Sequence, residues 1–191
     1  LTEGAQSLTV TATDPAGNVS AASAALAITV DASAPTLSSS TPADDAIGIA
    51  AANNIVLTFS ENVTAATGKN IIISNSAGAV ATIDAADGQI TISNNVVTIN
   101  PTSDLAENTD YYVTVEAGAF VDAAGNDYAG ISDNTTLNFK TVDNTAPTVT
   151  SVTMDKTTLL VGETAAVTIV FDEAENRMHA QNAIMVTMNK S

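Results

Sequence analysis

Asp143-Asn-Thr-Ala-Pro147 repeats an earlier stretch, Asp31-Ala-Ser-Ala-Pro35, at an offset of 143 − 31 = 112 positions. Phe59-Ser-Glu61 returns as Phe171-Asp-Glu173 at the same offset. Each Asp-x-x-Ala-Pro stretch lies between runs that alternate apolar and polar residues, the period of a half-buried strand. The spacing is that of one β-sandwich. The chain therefore reads as a slice through a tandem array of all-β antiparallel sandwiches, one complete and two partial. The expected boundaries are 1–33 for the closing strands of one domain, 34–145 for a complete domain, and 146–191 for the opening strands of a third.

Composition agrees with this division. The 191 residues are 45% hydrophobic but only 4% aromatic, with no Trp. Core volume must come from Val, Ile and Leu, which suits strands. There are 21 acidic side chains against 5 basic ones, a net charge of −16. Such a polyanion is repelled by phosphate backbones and anionic lipid, so nucleic acid is excluded as a partner. High-salt or calcium-rich surroundings would relieve the self-repulsion, although acidity also serves plain solubility. With no Cys, disulfides and thiolate metal sites are excluded. No apolar run is long enough to span a membrane, so membrane insertion is not expected.

Residues 8–13 alternate and predict a strand. Asp14-Pro-Ala-Gly-Asn18 predicts a turn, and residues 24–30 a second strand. In the middle unit, strands are expected at 36–41, 55–59, 70–74, 79–83, 89–93, 96–99, near 111–115 and near 137–139, with 42–48 as a loop and Asp87-Gly88 as a hairpin turn. Leu105 precedes Tyr111 across the polar residues 106–110. This is the pattern of a tyrosine corner, in which a buried ring sends its hydroxyl back to the preceding turn; a plain core tyrosine is the other reading. Tyr112 should point outward. From about residue 174 the alternation stops, and the stretch holds the single His179 and the single Arg177. A foreign tail, a shifted reading frame and a helical insertion are all open there.

Together, Asp-x-x-Gly-Asn (Asp14 to Asn18 and Asp122 to Asn126), Asp-x-x-Ala-Pro and Phe-Ser-Glu resemble the bacterial Ig-like repeats of large surface adhesins and secreted repeat proteins. The middle unit is similar to the SwmB-type subfamily in Thr41-Pro-Ala-Asp-Asp45, Leu57-Thr-Phe-Ser-Glu61, Leu105 to Tyr111 and Asp122 to Asn126. The resemblance implies a spacer, or stalk, on the bacterial cell surface or secreted, with neighbouring Ig-like domains of the same chain as its partners. Surface glycans or proteins are further candidate partners.

In such a sandwich the loop after the second strand, the loop before the last strand and the incoming linker share one end. Glu61, Asp122 to Asn126 and Asp31 should therefore converge at a domain junction, and Asp143 should pair with Glu173 at the next. Asp14 and Asn18 mark the equivalent turn of the preceding domain. A last strand of about ten residues spans roughly 33 Å, so Asp14 and Asp31 cannot share an ion. Carboxylates and an amide in one place suit calcium, which takes six to eight oxygen ligands. Asp and Asn are also common turn formers, so Asp122-Ala-Ala-Gly-Asn126 has a second reading as a turn alone.

No catalytic constellation is present. A serine nucleophile needs a base, and the one His lies in the anomalous tail. Asp44-Asp45 and Asp172-Glu173 are paired carboxylates without an obvious cleft. The competing functional reading is a carbohydrate-binding or accessory module of a secreted hydrolase, for which Tyr112 and Tyr128 are the available aromatic platforms.

Overall fold

The structure is a computed structural model and describes residues 1–158, 160 and 164–172. The chain divides into two compact units, Leu1–Asp143 and Asn144–Ser191.

The first unit opens with a hairpin of β1 (Gly4–Leu8) and β2 (Leu26–Val30), paired from Gly4↔Val30 to Leu8↔Leu26. The sandwich follows. Its strands are β3 (Leu37–Thr41), β4 (Ala46–Ile49), β5 (Ile55–Phe59), β6 (Thr64–Ala65), β7 (Asn70–Asn75) and β8 (Gly78–Asp84). They continue with β9 (Ile90–Ser93), β10 (Val96–Ile99), β11 (Asp110–Val115), β12 (Phe120–Val121) and β13 (Asn138–Thr141). One sheet has the order β3-β5-β10-β9 and the other β4-β13-β11-β7-β8, while β6 and β12 form a small separate pair.

Alternation explains why these strands bury one face. Ile55, Leu57 and Phe59 of β5 are 1%, 0% and 1% exposed, while Val56 and Thr58 between them are half-buried. From the facing sheet, Tyr111, Val113 and Val115 of β11 and Phe139 of β13 fill the same core. Each such large apolar side chain contributes roughly 1.5–3 kcal/mol by leaving water, enough in aggregate for a domain without cross-links. Phe59 is the hub of an aromatic cluster, 5.3 Å from Phe120 and 5.0 Å edge-on to Tyr128. The tyrosine corner is present: the Ala106 N–H donates to the Tyr111 hydroxyl at 2.9 Å. Tyr112 is half-buried, in the opposite phase to Tyr111.

Four expectations are corrected. The first strand is Gly4–Leu8, not 8–13, because the Ser20 and Ser23 hydroxyls accept from the Ala12 and Val10 N–H groups and interrupt the regular ladder. The stretch 42–48 is not wholly loop. Past Pro42 the chain crosses to the other sheet, where β4 pairs in parallel with β13. Asp87-Gly88 makes no hairpin, since β8 and β9 belong to different sheets; Asn94, at φ 55°, occupies the tight turn between β9 and β10. Tyr128 is no platform, being 5% exposed and packed on Phe59.

In the second unit, β14 (Val149–Met154) pairs antiparallel with β15 (Val167–Phe171). Glu173 and the anomalous stretch from about 174 lie outside the described residues.

Candidate metal centre

Asp31 follows β2, Glu61 follows β5 and Asp122 follows β12. Each offers a carboxylate oxygen, and these oxygens lie within 4.8 Å of one another. Asp31 is exposed, Glu61 half-buried and Asp122 4% exposed. The convergence expected from strand order is therefore present.

Asp122 is held by its own turn. Its Oδ1 accepts from the N–H groups of Ala124 and Asn126, both at 2.8 Å, and its Oδ2 accepts from the Asn126 side-chain amide at 2.7 Å. Gly125, at φ 91°, takes the left-handed conformation that closes this turn. The same Asn126 amide reaches the Asp31 carbonyl at 3.3 Å, which ties the incoming linker to the turn. Asn126 thus donates to the Asp122 carboxylate and to the Asp31 main chain. Beside Glu61, the Thr36 N–H donates to Ser60 Oγ and the Ser60 N–H donates to the Thr36 carbonyl, fixing linker to strand end.

Like charge is concentrated here. Desolvation pushes the Glu61 carboxyl above its usual range, and the charges of Asp122, Asp31 and Glu3 push it further the same way. Asp122 moves down, chiefly through the Asn126 side-chain hydrogen bond. Glu3, outside the group of three, is the neighbouring acid that strand-by-strand reading missed. Its place follows from register: Gly4 pairs with Val30, which sets Glu3 across from Asp31. Its Oε2 accepts from the Ala32 N–H at 2.9 Å. Nothing in the spacing around Glu3 signals this, because the partner lies across a hairpin.

The donors fit a hard cation. They are oxygens only, and calcium binds oxygen at 2.3–2.6 Å. The three carboxylate oxygens, all within 4.8 Å of one another, are close enough to share one such ion.

The other sequence candidates are placed elsewhere. Asp14 repeats the Asp122 turn bond for bond: its Oδ1 accepts from Ala16 and Asn18 N–H, and its Oδ2 from the Asn18 amide. Among the described residues, the group of three carboxylates does not include it. Asp143 accepts from the Asn108 side-chain amide at 3.0 Å, on the loop of the tyrosine corner. Asp44 accepts from the Asn138 backbone and side-chain N–H groups, so its carboxylate works in joining the two sheets. An open groove beside β3 is lined by Ser38, Ser40, Asp44, Tyr128, Asp133 and Thr136. Several of its polar groups already have internal partners: Ser40 donates to the Pro42 carbonyl, and Asp133 accepts from Thr135 and Thr136.

Two sheets around one core, a tyrosine corner and loops gathered at a linker define an immunoglobulin-like module. Residues 31–141 match the family model of the bacterial Ig-like domain, and the chain belongs to that family. No curated protein matches the chain. Among the described residues, no helix is long and apolar enough to cross a membrane.

Proposed function

We propose that the chain is a structural spacer from a bacterial cell-surface or secreted adhesin, stiffened by calcium at its domain junctions. The observation that carries this reading is the convergence of Asp31, Glu61 and Asp122 where the linker enters the sandwich. Two of the three come from the folded domain and one from the linker, so a shared ion would remove the linker's freedom to swing. Glu3, on the preceding hairpin and outside that group, adds like charge near Glu61 and accepts from the Ala32 N–H of the linker. The 112-residue repeat supports an array of such modules.

The accessory carbohydrate-binding reading is weaker. Tyr128 is buried against Phe59, and the groove beside β3 is lined by polar groups that already have partners.

Calorimetric titration of the full chain with calcium, beside Asp31→Ala, tests the proposal. Heat of binding is expected for the parent and its loss for the variant. At a free calcium level one hundred times Kd, the ion would stabilise the unit by about 2.7 kcal/mol. Small-angle scattering should show the particle shortening when a chelator is added. Identical titrations, melting and scattering with and without calcium would overturn the reading.

A further inference from the structure

The strands at the two ends of the sandwich sequence are joined to each other, and they run the same way. β4 pairs in parallel with β13, Phe139 with Ala46 and Thr141 with Ile49. β4 is the edge strand of its sheet. β13 is interior, held on its other side by β11 through Asp110↔Lys140, Tyr111↔Phe139 and Tyr112↔Asn138. The linker leads through β3 into β4, and the chain leaves the sandwich from β13.

This direction decides how the pair meets a pull. Tension on the two ends of the sandwich draws β4 back by its first residue and β13 forward by its last. In a parallel pair those pulls lie along the strands, so the bonds between them are loaded together, in shear. In an antiparallel pair the same pull would part the strands from one end, bond by bond. The bonds at both ends of the pair are made. Where the load arrives, just before β4, Asp44 Oδ1 accepts from the Asn138 N–H at 3.0 Å and from the Asn138 side-chain amide at 2.9 Å. Where it leaves, the Val142 N–H donates to the Ile49 carbonyl at 2.8 Å. The Thr141 hydroxyl ties the end of β13 to the Ala106 carbonyl and the Thr109 N–H. Upstream, β3 meets β5 through a shifted register between Leu37 and Ser39, and its release passes the load to β4.

We propose that β4, β13 and the Asp44–Asn138 contact form a load-bearing catch that keeps the sandwich folded when the chain is stretched. The inference takes from the spacer reading only its setting, a chain pulled at both ends. It does not depend on calcium.

Single-molecule force spectroscopy of the full chain tests it, with a chelator present throughout so that the calcium reading can fail separately. The chain has no Cys, so thiol handles go only where they are placed. Ser33→Cys with Ala146→Cys loads the pair in shear, whereas Ser33→Cys with Asn134→Cys draws the beginnings of β4 and β13 apart. Rupture force should be about twofold or more higher in the first arrangement. There, each rupture should lengthen the chain by roughly 300 Å as residues 46–141 unravel. Asp44→Ala should raise the unfolding rate at constant force by about tenfold. Asp84→Ala is the matched control at the far edge of the same sheet, where Asp84 accepts from the Gly68 and Ala86 N–H groups at 2.7 and 2.8 Å. It should lower stability in urea yet leave the rate under force within about twofold of the parent, because its bonds are intact when the catch opens. Equal rupture forces in the two arrangements, or equal acceleration by Asp44→Ala and Asp84→Ala, would overturn the proposal.

Discussion

Tyr111→Phe should destabilise the sandwich through one hydrogen bond, and the size of the effect can be worked from its surroundings. The Tyr111 ring is 2% exposed, and its hydroxyl accepts from the Ala106 N–H at 2.9 Å. An unsatisfied polar group costs about 1–3 kcal/mol when buried. Ala106 is itself exposed, so water can reach its N–H in part, which places the expected loss at about 1–1.5 kcal/mol. Thr141 holds the same residue through the next peptide group. Its hydroxyl donates to the Ala106 carbonyl at 2.7 Å and accepts from the Thr109 N–H at 3.0 Å, and the residue is 2% exposed. Thr141→Val leaves two groups without partners and should cost about 2–3 kcal/mol. Because both side chains anchor one loop, the double variant should lose less than the two singles combined, by about 0.5 kcal/mol or more. Tyr112→Phe is the control and should stay within about 0.5 kcal/mol of the parent. Urea unfolding followed by far-UV circular dichroism measures all four proteins. Equal stability of the Tyr111 and Tyr112 variants, or strict additivity of Tyr111 and Thr141, would refute the shared anchor.

Glu61→Gln should melt higher than the parent in low salt without calcium, since it relieves repulsion from Asp122, Asp31 and Glu3, and should lose the response to calcium; a lower melting temperature without calcium would contradict this. Because the folded state raises the Glu61 pKa, it holds that proton more tightly than the unfolded chain. Its unfavourable contribution should fade as pH falls from 7 toward its raised value above 4.5, read as a rise in calcium-free melting temperature, and Glu61→Gln should flatten that rise. Asp133 has the opposite sign: the backbone N–H of Thr135, followed by the Thr135 and Thr136 hydroxyls, holds it down to about 2. Its stabilisation is complete above 3.8 and is lost as pH falls toward about 2, so Asp133→Asn should remove that part of the acid limb in melts between those values. Gly130→Ala should cost about 3 kcal/mol or more in urea unfolding, with Gly88→Ala near neutral; at Gly130, φ is 84° and an added Cβ would stand 2.4 Å from the Val115 carbonyl oxygen, whereas Gly88 faces open space.

The strands that could be read from sequence are those whose burial is decided by their own alternation. β5, β10 and β11 each set apolar side chains at every second position, and each lies in the interior of its sheet, where both edges demand regular backbone. β4 was not legible because its residues do not carry that pattern. Ile47 is 80% exposed, and the strand is placed by parallel pairing with β13 and by the grip of Asp44 on Asn138. Asp87-Gly88 misled for a related reason. A local turn signal fixes backbone angles, but whether the next strand stays in the same sheet depends on partners far along the chain. At the junction, Asp31, Glu61 and Asp122 were found because strand order alone brings their loops together. Glu3 required the pairing of Gly4 with Val30, which no short motif encodes.

The twin turns at Asp14 and Asp122 separate what the local motif does from what the junction adds. Both aspartates accept the same three hydrogen bonds, two from backbone N–H groups and one from the asparagine four residues on. Asp-x-x-Gly-Asn is therefore a self-sufficient turn, satisfied in its main contacts without a cation. Of the two described turns, Asp122's is the one that a linker acid and a strand-end acid approach, and there a neighbouring carboxyl, Glu61, is driven upward by desolvation and then by like charge. The turn reading and the calcium reading thus describe different residues of one place. Asp122 and Asn126 are prearranged by the fold, while Asp31, Glu61 and Glu3 carry the repulsion a cation would relieve. On the proposed reading, withdrawing the ion should leave the sandwich and its turn folded and release the linker.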